Sequence, residues 1–552
     1  METKSKAADV LDKQIGFQVP NGDDGVFKNV KIQEYRPDRN SYVGGEEISF
    51  TINLGPHMLS PSKSFFTFGL NVTGSSGVAT TKFTVTTGSA SELAAAIAGT
   101  TGLAFLPGGT QSLVERVWVE SANGVPMDDT TQYNHLAYVN DMFTLSDDFI
   151  NGAGSAELIP PRQRGTAPVQ EGTAAGGAAL LPSSLAVAGA SSSYLGSGAA
   201  LKRMYHQCNT AATDAAAPRV NLNLRHSPIL SGERVIPSQM RQIRIVIKLA
   251  AAEEAFTIVR TSATESKTDL SGLRILEGAR ASDLTTADIG YRIVDPVYYA
   301  TLIEPSSLLK QSFDEAVNGS GLPMPIESTY AITQKVPANN VGAFTSVTMT
   351  KAVANATKVM GWVTSDAVGK FRCLVNSFAP WNHGLQEYQF RFGGEYMPIN
   401  PVKDTSTALR LTSQAAGLDY MDQKIPLWRY DPTMYNCGVT GATNISSDVG
   451  CLLGGWPQDL ECWSIWDQFS ANQSVFGMTL KSVKELGLSG LTVRTGSQLQ
   501  LELKWRTTGF EGGTTGSYAS NSHISYPGVL RLFMGFSKVG KLQNDGNYSF
   551  VE

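Results

Sequence analysis

Alternation of apolar and polar residues at period two recurs along this chain, and it is the feature that most restricts the fold. EEISFTINL places Ile48, Phe50, Ile52 and Leu54 on one side, and FFTFGLNV does the same with Phe66, Phe68, Leu70 and Val72. RQIRIVIKL alternates Ile243, Ile245, Ile247 and Leu249, with Val246 making its second face partly apolar, and QLQLELKW alternates Leu499, Leu501, Leu503 and Trp505. Successive side chains of a strand point to opposite faces, so each segment reads as a strand with one face in a core. LQEYQFRFGGEYMP adds a hairpin. In it Tyr388, Phe390 and Phe392 share a face, Glu387, Gln389 and Arg391 share the other, Gly393-Gly394 makes a two-residue turn, and Pro398 is expected to stop the returning strand. A second hairpin signal is Asn123-Gly124 between VERVWVES and VPMDD.

Helical patterns are few and short. EPSSLLKQSFDEAVNG places Leu309, Phe313, Ala316 and Val317 on one face, with Pro305 in the first turn and Asn318-Gly319 at the end. TSTALRLTSQAAG and TTQYNHLAYVNDMF read as two more. The fold class is therefore all-β, with short helices and long surface insertions.

The chain has 552 residues, too many for one compact core. Residues 1–24 form a polar N-terminal arm of mixed charge. In it Lys4, Lys6 and Lys13 are offset by Glu2, Asp9 and Asp12, while Ala7, Val10, Leu11 and Ile15 line one side of a short helix suited to docking on protein. A first β domain is expected over 25–260, with Ala/Gly/Ser/Thr-rich insertions near 74–110 and 151–216. A polar linker is expected over 261–286, and a second β domain with the C-terminal segment over 287–552. Two sandwiches of about eight strands each fit these lengths.

Catalytic signatures are missing from the sequence. It holds no GxxxxGK[ST], GxGxxG, HExxH or GxSxG. The six histidines (His57, His135, His206, His226, His383, His523) are widely separated. Asp128 and Asp129 lie near His135, which admits an acid–base or metal reading, but a helix N-cap from Asp129 or Thr130 is the simpler one. His383 and Glu387 sit at helical spacing inside a strand pattern. Cys462, Trp463 and Trp466 form an aromatic cluster that, with Trp428, suits either sugar binding or a packing contact. The five cysteines (Cys208, Cys373, Cys437, Cys451, Cys462) are scattered, with no CxxC, and read as free thiols, with a Cys451–Cys462 disulfide as the alternative. A net charge of −5 gives no electrostatic reason to bind nucleic acid. No signal-peptide pattern opens the chain, no apolar run reaches transmembrane length, and the sequons at Asn71, Asn318, Asn355, Asn444, Asn472 and Asn547 read as chance. No catalytic, cofactor-binding or metal-ligating residue is therefore assigned, and no cofactor is expected.

Four stretches carry a resemblance to a known family. They are TQSLVERVWVESANGVPMDDTTQYNHLAYVND, GERVIPSQMRQIRIVIKLAAAEEAF, YRIVDPVYYATLIEPSSLLKQSFDEAVNGSGLPMPI and LQEYQFRFGGEYMPINPVKDTSTALRLTSQAAG. In this order they resemble the major capsid proteins of the double jelly-roll class, found in polinton-like viruses, virophages and the lineage that includes adenovirus hexon. The likeness covers most of the chain outside the two insertions. It places the second stretch at the closing strand of the first barrel and the third at the opening of the second.

What the resemblance implies is a structural, non-enzymatic protein of the virion, made inside the host cell. Its two jelly rolls would trimerise into pseudo-hexagonal capsomers of an icosahedral shell. Its partners would be two further copies, neighbouring capsomers, and penton and minor capsid proteins, without strong direct binding of nucleic acid. The Ala/Gly/Ser insertion departs from the family pattern. The alternatives that the residues leave open are a two-domain β-sandwich that binds glycans and, third, an enzyme on a β-sandwich such as a glycosidase, which needs two carboxylates in a groove.

Overall fold

The computed structural model describes residues 27–73, 102–159, 217–260, 290–337, 343–365, 385–417, 475–481, 490–505 and 528–551, apart from short gaps within these ranges, together with Phe378. The expected helix of the N-terminal arm and all five cysteines lie outside the described residues, as do His206, His383, His523, Trp428, Trp463 and Trp466.

Sixteen of the twenty-one strands among the described residues build two rolls of eight. The first roll contains β1 (Phe27–Tyr35), β2 (Glu47–Asn53), β3 (Met58–Thr73), β4 (Val114–Ser121), β5 (Pro126–Thr131), β6 (Arg219–Leu222), β7 (Gln242–Leu249) and β8 (Gly290–Pro305). The second contains β9 (Leu322–Val336), β10 (Phe344–Met349), β11 (Val353–Ser365), β12 (Leu385–Phe392), β13 (Glu395–Val402), β14 (Val475–Thr479), β15 (Leu499–Trp505) and β16 (Gly528–Leu542). The sheets run β1-β8-β3-β6 and β2-β7-β4-β5 in the first roll, and β9-β16-β11-β14 and β10-β15-β12-β13 in the second. The two rolls thus have one topology, in which the eighth strand returns between the first and third and the seventh between the second and fourth. This is the jelly roll, and the chain contains it twice.

The period-two segments become the facing walls of two cores. Ile48, Phe50 and Ile52 of β2, Phe66, Phe68 and Leu70 of β3, and Ile243, Ile245 and Ile247 of β7 meet in the first. Tyr388 and Phe390 of β12 and Leu499, Leu501, Leu503 and Trp505 of β15 meet in the second. Val246 is also buried, on the opposite face of β7. The Asn123-Gly124 hairpin joins β4 to β5, with Gly124 at a φ of 76° that a side chain would oppose.

The strand that follows the expected linker is a correction. β8 pairs with β1 on one side and β3 on the other, and its Tyr291, Ile293, Tyr298, Ala300 and Leu302 point into the first core. The first roll therefore closes with β8, not β7, and the second opens with β9, so the division between the rolls falls after Pro305 and not at 261–286. The insertion bounds also narrow. Gly102–Phe105 pairs with Thr257–Arg260, and Thr110, Gln111 and Ser112 are fully buried. Residues 152–159 are tied in as well, with the Thr110 amide bonded to the Glu157 carbonyl and the Asn221 amide to that of Ala156.

The hairpin turn at Gly393-Gly394 is as expected, since Phe392 faces Glu395. Pro398, however, does not end β13. The register jumps from Phe390 opposite Met397 to Tyr388 opposite Val402, and the bulge takes up Pro398. Gln389 fills it, its amide donating to the carbonyls of Pro398 and Ile399, both at 2.9 Å. It is accordingly buried and not solvated as its place in the alternation suggested.

Antiparallel strands reverse direction in turn, so the connections leaving odd-numbered strands share one end of a roll. The longest connections are attached there: 74–113, 132–218 and 250–289 in the first roll, and 403–474 and 506–527 in the second, together with 366–384. At the other end β2 meets β3, β4 meets β5, β10 meets β11 and β12 meets β13 through short turns, and the 19-residue connections 223–241 and 480–498 are attached there too. One end of each roll therefore carries the longer connections.

Phe390 is fully buried, whereas Phe392 at the mouth of the hairpin is half-exposed. Phe390→Asp should cost several kcal/mol and abolish cooperative unfolding of the second roll. Phe392→Asp should cost clearly less; equal losses in a urea titration would contradict this register.

Candidate functional site

The feature of the described residues that goes beyond two separate cores is the seam that joins them. It is built around α1 (Tyr133–Thr144), the helix that follows β5. Tyr133 and Ala137 turn to the first core. Leu136, Tyr138, Val139 and Phe143 turn the other way, onto Met360 and Trp362 of β11, Phe533 of β16, Val475 of β14 and Phe378. Trp362 and Phe533 stack with ring centroids 4.8 Å apart, and Tyr138 meets the Phe378 ring at 5.8 Å. Ala415, at the end of α2 (Thr405–Ala415), completes the cluster.

Polar contacts fix the register of the seam. Arg531 donates to the Gln132 side-chain oxygen at 2.7 Å, and the Asn123 amide donates to the Tyr548 carbonyl at 3.0 Å. At a second contact, Gln239 donates to Asp314 at 2.8 Å beside α3 (Ser307–Asn318). There Val317, Ile326, Leu542 and Tyr548, all from the second half, close over the first core. The N-cap of α3 is Ser306, whose hydroxyl accepts from the Leu309 amide; Pro305 ends β8.

A buried polar network holds α1 from behind. Arg225 reaches Asp141 of α1 with two bonds, at 2.9 and 2.6 Å, and also pairs with Glu157. His226 Nε2 lies 2.6 Å from Asp141 Oδ1. Gln111 donates to the Asn223 carbonyl and accepts from the Tyr133 hydroxyl. Burial alone would raise the Asp141 pKa, but Arg225 and His226 outweigh it and hold the carboxyl well below the ordinary range. For Glu157 burial wins over Arg225, and its pKa rises. The carboxylates are committed to cations that anchor a helix, so the network acts as a clamp and offers no free acid–base group. Nothing in the local sequence marked it, because Asp141, Glu157 and Arg225 converge from distant segments.

The residues weighed from the sequence part company. Neither Asp129 nor Thr130 caps α1; both lie in β5, and the N-cap is Gln132 in a left-handed conformation with no side-chain cap. Asp129 takes a two-pronged contact from Arg116. Asp128 is fully buried, accepting from the Ser227 hydroxyl at 2.6 Å, with Lys538 of the second roll as the cation acting on it. His135 faces Glu254 at 3.2 Å and stacks near Phe378. Glu387 pairs with Lys403 and Lys504. Among the described residues no cluster of three His, Cys, Asp or Glu side chains is placed to hold a metal ion, and no helix is long and apolar enough to cross a membrane.

No protein-family model matches the sequence, and no curated protein matches it either. Solved structures do resemble it in shape. The VP54 protein of PBCV-1, fitted into the virophage Sputnik, is 10% identical over 97% of this chain and 99% of its own, with a TM-score of 0.47. The mavirus major capsid protein is 10% identical over 98% of this chain and 94% of its own, with a TM-score of 0.45. The Faustovirus major capsid protein is 10% identical over 99% of this chain and 97% of its own, also at 0.45.

Burial raises Asp128 from 3.8 to about 6, offset in part by Ser227 and Lys538, and burial lowers Lys538 to about 8. A carboxyl whose folded value is raised favours the fold in its neutral form. Its contribution is complete below about pH 4 and is lost as pH rises through about 6. Asp128→Asn should therefore flatten the pH dependence of the urea midpoint between these values. An unchanged profile would show that Asp128 does not titrate there.

Proposed function

We propose that this chain is a major capsid protein whose three copies form a pseudo-hexagonal capsomer of an icosahedral shell. The observation that carries the reading is the tandem of two complete jelly rolls locked by a buried seam. One roll with its own core would fold without a second; a seam with Trp362 and Phe533 at its centre serves to hold two rolls at one fixed angle. A chain of that shape is a building block. Three copies related by a threefold axis present six rolls around a ring, and six-sided rings tile a surface.

The ends of the rolls support the same reading. The longest connections gather at one end of each roll, which suits projections from the outer face. The walls themselves are continuous backbone ladders that resist bending. The protein then resides in the virion, contacts neighbouring capsomers, penton and minor capsid proteins, and carries out no chemistry of its own. With a net charge of −5 it leaves the genome to other components.

Multi-angle light scattering of the purified protein tests this. The expected mass is three times 59.1 kDa, stable on dilution. A monomer at all concentrations would overturn the proposal.

A further inference from the structure

At an Asn-Gly pair the backbone can attack its own side chain, because glycine puts no Cβ in the way of the approaching amide nitrogen. Two such pairs have both members among the described residues, Asn123-Gly124 and Asn318-Gly319. They differ in what surrounds them.

Asn123 and Gly124 form the tip of the β4–β5 hairpin, and both are exposed. A side chain at Gly124 would meet no atom within 4 Å, so the tip stands in open space. The Asn123 amide is nonetheless held at both of its atoms. The Ser121 hydroxyl lies 2.5 Å from Oδ1, closer than its other acceptor, the Val125 carbonyl at 3.1 Å. Nδ2 donates to the Tyr548 carbonyl at 3.0 Å. Negative charge develops on Oδ1 when a nitrogen attacks Cγ, and a hydroxyl already placed there stabilises it. The Gly124 amide donates to the Ser121 carbonyl at 2.9 Å, and that bond has to open first, which makes the reaction slow. Asn318 ends α3, and its Gly319 amide is held in the same way by the Glu315 carbonyl at 2.9 Å. Among the described residues no hydroxyl is bonded to its side chain.

The Tyr548 carbonyl belongs to a hook by which the second half grips the first roll. The short strand Tyr548–Val551 runs back along β16, with Tyr548 opposite Leu542 and Val551 opposite Val539. The Tyr548 ring lies over Gly540 and is buried in the first core. At the turn before it, a side chain on Gly546 would come within 3.2 Å of the Met240 carbonyl and 3.3 Å of the Gln239 carbonyl of the first roll.

We propose that Asn123-Gly124 is a self-modification site that unfastens this hook as the protein ages. The Gly124 nitrogen forms a bond to Asn123 Cγ and gives up its proton, the Cγ–Nδ2 bond breaks, and ammonia leaves. Water then opens the five-membered imide at one carbonyl or the other, giving isoaspartate or aspartate. Either product has lost the donor to Tyr548. The aspartate sets a carboxylate oxygen against a carbonyl oxygen, an acceptor facing an acceptor. One of the polar contacts that fix the register of the seam is removed, while the Trp362–Phe533 packing is untouched. The protein cannot reverse the step, so the site counts time.

Incubation of the full chain at mildly alkaline pH, where the attacking amide loses its proton more readily, tests this. Peptide mapping by mass spectrometry, with isoaspartyl methyltransferase to detect isoaspartate, follows residues 123 and 318. Residue 123 should convert first, and Ser121→Ala should slow it several-fold without changing the rate at 318. Conversion at 318 alone, or a rate at 123 that Ser121→Ala leaves unchanged, would overturn the site. Hydrogen exchange of the same samples reads the hook. Protection over Tyr548–Val551 should fall in step with conversion, and a fresh Asn123→Asp variant, which keeps Ser121, should show that loss from the start. Full protection in the converted protein and in Asn123→Asp would overturn the link between the site and the seam.

Discussion

The burial of Trp362 and Phe533 beneath α1 is the interaction on which the rest of this architecture depends. Each roll closes its own core, so neither needs the other for that. What the seam adds is a fixed relation between the two. Burying one large apolar side chain contributes roughly 1.5–3 kcal/mol, and several meet here from each side. The charged contacts contribute differently. Asp128 and Lys538 are both pushed toward their neutral forms by burial, so desolvation takes back much of their attraction. Apolar packing therefore stabilises the seam, while Arg531–Gln132 and Asn123–Tyr548 specify its register.

Helix α1 can serve both rolls because the network behind it is closed. Asp141 is bonded by Arg225 and His226, and Tyr133 by Gln111 and the His226 amide. A helix fixed on one face by charge-assisted bonds presents the other face as a rigid ridge. That ridge, and the edge strand β5 before it, are what the second roll receives.

The strands of both cores were legible in the sequence because alternation reports a buried face directly. β2, β3, β7 and β15 show the alternation read for them, and the Asn-Gly hairpin needed only local chemistry. The sequence misled at β8 because a long polar segment separates it from its partners. A strand that returns to the first sheet after such a gap looks like the opening of a new domain. The cap of α1 was misread because Asp128 and Asp129 were weighed by local spacing, while their positions are set by pairing with β4 and by the second roll. The seam was invisible for a related reason: Leu136, Val139, Trp362 and Phe533 come from separate elements, and no spacing rule links them.

The proposed trimer asks each chain to supply two equivalent but non-identical places in a ring. Electron microscopy of the assembled particle, averaged down its symmetry axis, tests that geometry most directly. Six lobes of density around a threefold axis are expected, alternating in the size of their projections because the long connections of the two rolls differ. Three lobes, or a twofold particle, would contradict it.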